Sequence, residues 1–245
     1  QQATSQPLAL GGMSGDSPAW SPTGEHLAYY GFTAGRPSGL FVVSIANGGE
    51  PRLITQKGFD NGSPAWTPDG RSLIYRSEGD LWIVSANPDA TSHRLLEKAS
   101  HPAVSPDGRL LAYASDRSGR WEVYLTTLPV PGRIWAVSTD GGQYPRWNPR
   151  GGELFFASGQ RVEDDSNGYR DLSVVKVASG SQPSVNAPEK LFDAYALGFR
   201  SNSQGFRGYD IAPDGQRILL QTTGREGTPT ITAIQNLSAW MARQH

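Results

Sequence analysis

The chain has 245 residues, with 22 Lys and Arg against 23 Asp and Glu, a net charge of -1. So balanced a chain has no long-range field to hold a polyanion or an anionic membrane surface, which argues against nucleic acid as a partner. It has no Cys, which removes disulfides, thiolate metal sites and thiol catalysis, and no apolar run near the roughly 18 residues a spanning helix needs.

With 29 Gly, 18 Pro and 10% aromatics, the composition favours many short strands joined by tight turns. A single all-β domain over 1–245 is the expectation. The chain opens on Gln1 with neither a basic nor an apolar leader, as a mature exported protein or a domain cut from a larger polypeptide would.

In chain order, SQPLAL (5–10) reads as an isolated strand. A repeat follows: SPAWSPTGEHLAYY (17–30), SPAWTPDGRSLIYR (63–76), HPAVSPDGRLLAYA (101–114), YPRWNPRGGELFFA (144–157) and the worn copy GYDIAPDGQRILLQ (208–221). Its anchors Pro22, Pro68, Pro106, Pro149 and Pro213 lie 46, 38, 43 and 64 residues apart. A spacing of about 40 residues is that of a propeller blade, and the last interval is a blade with insertions.

Each copy has a physical reading. Proline opens a short first strand, where its missing N–H does no harm. The tetrad Ser105-Pro106-Asp107-Gly108 suits a type I turn. The apolar run after it is a second strand buried on both faces. Third strands are predicted at 40–46, 81–86, 121–128, 172–178 and 230–235, and fourth strands at 51–55, 93–97, 133–138 and 189–193. The blades are therefore anchored near 17–55, 63–97, 101–138, 144–193 and 208–235, the last completed by 5–10. Twenty strands make a five-bladed β-propeller of four-stranded antiparallel blades, with the N-terminal strand closing the last blade. A six-bladed ring is the alternative.

The stretches Pro18 to Gly24 and Pro64 to Gly70, with the Asp116–Gly119 hairpin, resemble the repeats of the TolB-like (WD-type) propellers over nearly the whole chain. The segment 121–158, with the ending 208–220 and 230–236, looks most like propeller regions C-terminal to some bacterial serine/threonine kinases. Thr23 and Arg150 stand where the motif has Asp, and Tyr209 where it has Pro. The resemblance implies a fold that serves as partner-binding module, sensor or peptidase appendage alike.

Catalytic machinery is hard to find. A hydrolase nucleophile elbow would read G-x-S-x-G, and GGMSGD (11–16) only approaches it. Of His26, His93, His101 and His245, only His101 precedes an innermost strand, whereas an imidazole metal site needs several converging. Glu163, Asp165, Asn167 and Gly168 follow an EF-hand spacing that Val174 breaks at the twelfth position, so 161–174 reads as a long solvated hairpin. Asp16, Asp60 and Asp210 near first strands could serve glycoside chemistry at the channel mouth, though strand-entry capping by Asp is commoner. Trp20, Trp66 and Trp147 recur at one repeat position and read as inter-blade core. No catalytic residue, cofactor or metal is assigned.

Antiparallel order puts the loops between second and third strands on one face with those between fourth and first strands. That face would show Phe32–Ser38, Asp116–Arg120, Arg161–Arg170 and Thr223–Thr228. Arg36, Arg117, Arg120, Arg161, Tyr169, Arg170 and Arg225 are its candidate partner contacts, since Arg is enriched at interfaces. The tail 236–245 places Leu237, Trp240 and Met241 at helical spacing, and Trp240 joins the candidates. The reading is a non-catalytic bacterial scaffold for protein partners, periplasmic or extracytoplasmic, in a complex that can be membrane-anchored. The alternatives are a ligand-sensing propeller of a receptor kinase, binding a small molecule in its channel, and, third, a glycan-active enzyme.

Overall fold

The computed structural model describes residues 13–33, 36–45, 49–55, 64–87, 90–161, 169–178, 183–194, 196, 208–223 and 229–234. They form a five-bladed β-propeller. Blade one is β1 (Ser14–Trp20), β2 (His26–Thr33), β3 (Arg36–Ser44) and β4 (Arg52–Thr55). Blade two is β5 (Ala65–Trp66), β6 (Ser72–Ser77), β7 (Asp80–Ser85) and β8 (His93–Leu96). Blade three is β9 (Ser100–Val104), β10 (Leu110–Ser115), β11 (Glu122–Thr127) and β12 (Ile134–Ala136). Blade four is β13 (Gly142–Trp147), β14 (Glu153–Arg161), β15 (Tyr169–Ala178), β16 (Ser184–Val185) and β17 (Glu189–Asp193). Blade five shows β18 (Tyr209–Ile211), β19 (Ile218–Thr223) and β20 (Pro229–Ile234).

Strands pair in sequence order and antiparallel within each blade, and β17 joins β15 beside the short extra strand β16. The strand expected at 5–10 and the tail 236–245 lie outside the described residues.

The turn between first and second strands is more specific than a type I turn. Gly108 N donates to Ser105 O at 2.8 Å and Ser105 N to Leu110 O at 2.9 Å, with Gly108 at φ 73°. A left-handed residue after a type I turn lets the hairpin close, and glycine adopts it without a Cβ penalty. Asp107 Oδ1 accepts from Ser105 Oγ (2.6 Å) and Arg109 N (3.1 Å), locking the turn. The departures are absorbed locally: where Arg150 replaces the aspartate, Asn148 Oδ1 accepts Arg150 N at 3.0 Å.

The second strand β10 is buried throughout, as its apolar run predicts, and so is the first strand β13; the second strand β19 is buried on one face only, with Leu219 44% exposed. Alternate faces join neighbouring blades. Tyr30 and Val42 meet Leu73 and Tyr75; Ile74 meets Leu111; Leu110 and Leu125 meet Trp147 and Phe156; Phe155 meets Ile218 and Leu220. Among the described residues no such cluster joins blade five to blade one.

Three expectations change. Phe32–Ser38 is not an open loop, because β2 runs to Thr33 and β3 starts at Arg36. His101 lies inside β9 rather than before it. Trp20 is not inter-blade core: it is 59% exposed, since its side of blade one is the seam that no described cluster fills. Trp66 and Trp147 do bridge blades, their Nε1 donating at 3.0 Å to Ala19 O and Ala103 O of the preceding blades.

Candidate functional site

The inner strands carry an unforeseen bulge. Ser17, His101 and Tyr144, each preceding a proline, have φ of 52°, 51° and 57°, and the pairing register shifts there in β1, β9 and β13. Residues before proline favour extended backbone, so each bulge holds a costly conformation. Through it, His101 meets the Tyr144 ring edge-on at 4.4 Å, and Tyr209 Oη donates to Tyr144 O at 2.6 Å. The bulge residues of blades three and four and the inner strand of blade five are thereby linked.

One inner-strand column breaks its own pattern. The residue after the inner-strand proline is Ala19, Ala65 and Ala103 in the first three blades, but Arg146 in blade four and Asp210 at the matching place in blade five. Arg146 is 8% exposed; its Nη1 donates to Pro145 O at 2.6 Å and, among the described residues, its Nε has no partner. Burial pushes its guanidinium below the usual range, against the pull of Tyr209 and Asp210. Sequence reasoning missed it, although the break in the alanine column was visible. Asp210 is exposed and accepts from Ile211 N at 3.0 Å. Asp60 lies outside the described residues.

Asp16 is half-buried in β1, and burial raises its carboxyl above the usual range, offset in part by the Ser17 hydroxyl. The folded chain therefore keeps this proton to higher pH than the unfolded chain, and stability falls as pH rises through that window. Asp16→Asn should raise the thermal midpoint at pH 7 and flatten its decline above pH about 4. A lower midpoint than the parent's at pH 7 would refute this.

A concavity lies on the loop-rich face, between blades three and four. A cavity of about 460 Å³ is lined by Asp116, Gly119, Arg120 and Trp121 from the β10–β11 loop, Asp140 and Gly141 before β13, Gly159 of β14 and Tyr169 of β15. Chain order thus brings together the two loop types assigned to that face. Gly141 has φ 83°, and a Cβ there would sit 3.2 Å from Gly159 O and 3.5 Å from Tyr169 Cε1. Only glycine leaves this wall open.

Beneath the pocket is a buried carboxylate. Glu122, 4% exposed at the start of β11, accepts Arg120 Nε at 2.6 Å and Gly141 N at 3.2 Å on Oε1, and the Ser138 hydroxyl on Oε2. Ser138 Oγ in turn accepts Val123 N at 2.7 Å. Arg120 spends its other nitrogens on Asp140 Oδ1 (3.4 Å) and Thr139 O. Its guanidinium is a strut between two loops.

Of the other candidate contacts, Tyr169 shares the pocket with Arg120 and the rest are dispersed. Arg117 lies over the Tyr124 ring at 5.8 Å. Tyr169 is 2% exposed, and Arg170 pairs with Asp193 at 3.2 Å. Arg36 and Arg161 sit at the ends of β3 and β14. Arg225 and Trp240 lie outside the described residues, as do Glu163, Asp165, Asn167 and Gly168. Among the described residues no group of three or more His, Asp or Glu is placed to hold a metal ion, and no helix is long and apolar enough to cross a membrane.

Residues 6–190 match the TolB beta propeller domain family. The Tol-Pal system protein TolB of Bordetella pertussis is 38% identical over 118 residues, 46% of this chain and 27% of that protein. A TolB homolog of Chlorobium luteolum is 30% identical over 118 residues, 46% of this chain and 26% of its own. The matched stretch spans about a quarter of the length of these curated relatives. Among solved structures, TolB from Acinetobacter baumannii superposes with a TM-score of 0.65 at 18% identity, covering 91% of this chain and 52% of that one. An oligogalacturonate lyase in complex with manganese reaches 0.58 at 16% identity, covering 93% and 63%. At such identity these two likenesses speak for the fold alone. The comparisons support the TolB-like description and not the WD-type label, and with the repeat, the five blades and the match over 6–190, the chain belongs to the TolB beta propeller domain family.

Proposed function

We propose that the chain is a non-catalytic scaffold for protein partners, working outside the cytoplasm in a larger, membrane-anchored assembly, and that its loop-rich face is the working surface. The pocket between blades three and four carries this reading. Its walls come from two loops and from β14 and β15, the Glu122 network ties the two loops together, and a preformed cleft lowers the ordering cost of binding. The name of the Bordetella pertussis relative places that protein in the Tol-Pal system, which agrees with a role in assembly. The finer resemblance to kinase-borne propellers leads to a sensing role instead, centred on the channel.

The test is a photo-crosslinking residue placed at Ser118, on the exposed β10–β11 loop, and separately at Asp107 on the opposite face, in the cells that make the protein. A discrete protein adduct from position 118, absent from 107, is expected. No adduct from 118, or equal adducts from both positions, would overturn the reading.

A further inference from the structure

The charge left over in the pocket says what its occupant must be. Arg120 is neutralised by the buried Glu122 and commits three of its five N–H donors, to Glu122, Asp140 and Thr139 O. Two further carboxylates line the pocket. Asp140 is 74% exposed and holds Arg120 by one oxygen at 3.4 Å. Asp116 is exposed, and among the described residues its carboxylate has no partner. One arginine thus faces three acids, and the surplus negative charge sits at the rim. Trp121, half-buried, lines the same cavity and follows Asp116 across the hairpin, next to the Ser115–Glu122 pair.

A carboxylate beside an indole face is a recognition chemistry for cations: the ring quadrupole and the negative charge act on the same guest. An anionic guest would meet the Asp116 and Asp140 carboxylates at the rim and one arginine already paired with Glu122 and Asp140. The geometry points to a pocket that receives a lysine or arginine side chain of the protein partner, with Asp116 as the pairing carboxylate and Trp121 as the cation–π platform. This rests on the scaffold reading and gives its partner a chemistry: a basic residue at the centre of the contact. Asp140 is a positioning residue, holding Arg120 and through it the loop that carries Asp116.

The isotope-labelled chain is titrated with acetyl-Gly-Lys-Gly-amide up to roughly 20 mM, and with counterparts carrying norleucine or glutamate in place of lysine. Amide and indole shifts are followed by NMR. The lysine peptide is expected to give saturable shifts confined to Gly119, the Trp121 indole and Gly141, weakened by added salt. Norleucine should bind at least roughly tenfold more weakly, glutamate should leave the spectrum unchanged, and Asp116→Asn should weaken the lysine peptide by roughly tenfold. Asp116 lies on an exposed loop outside the Glu122 network, so its substitution leaves the fold intact, which the unperturbed remainder of the spectrum verifies. No saturable shift, equal binding of norleucine, or indifference to Asp116→Asn would overturn the proposal. An adduct at position 118 with no lysine binding would discard the pocket chemistry and keep the scaffold. Lysine binding without any adduct would do the reverse.

Discussion

Arg120→Ala is expected to lower unfolding stability by about 3 kcal/mol, although the residue stands on a surface loop and looks expendable. The reason is Glu122. Its side chain is 5% exposed, and among the described residues Arg120 is the only cation paired with it. Removing the guanidinium leaves a buried carboxylate with the Ser138 hydroxyl and Gly141 N as its remaining donors. Breaking a buried pair from one side costs about 3–5 kcal/mol, and the low end applies because the Arg120 side chain is itself 55% exposed.

The double variant Arg120→Ala with Glu122→Gln should recover more than half of the loss, since the uncompensated charge is gone. Urea denaturation of the parent, both single variants and the double variant gives the coupling directly. A single Arg120→Ala variant within about 0.5 kcal/mol of the parent would mean that the arginine is ordinary surface charge, free to serve a partner.

The repeat made much of this protein legible. Proline, turn tetrad and apolar run recur in fixed order, each favouring the same local structure, and the observed strands follow them except for the short extra strand β16. The interiors of blades were legible for the same reason, because Leu110–Ser115 and its counterparts are apolar runs of strand length. The pocket was only partly legible. That the β10–β11 loop shares a face with the loop before β13 follows from antiparallel order. The role of Glu122 does not: in sequence it is one more charged residue in Trp121-Glu122-Val123, and only the approach of Ser138 and Gly141 buries it. Tyr169 read as part of a loop because the charged run before it masks the start of β15, a strand that buries it to 2% exposure. The inner-strand bulges ran against a local rule, since the backbone before proline is ordinarily extended. Such conformations are held by tertiary contacts, here between His101, Tyr144 and Tyr209, which lie far apart in sequence.

Trp147→Ala is expected to cost about 3–5 kcal/mol, and Trp20→Ala less than about 0.5 kcal/mol, although the two tryptophans occupy the same repeat position. Trp147 is 9% exposed, packs among Leu110, Leu125, Leu154 and Phe156, and donates its indole N–H to Ala103 O at 3.0 Å. Truncation removes a large apolar area, opens a cavity between blades three and four and strands a carbonyl. Trp20 is 59% exposed on the side of blade one that faces the fifth seam, where blade five presents Asp210 and Leu219, themselves exposed. With little area buried, little is lost. Denaturant midpoints of the two variants measured side by side decide the matter, because the substituted side chain and its place in the repeat are the same in both. Comparable losses would mean that Trp20 is covered in solution and that the seam between blades five and one is packed as tightly as the other four.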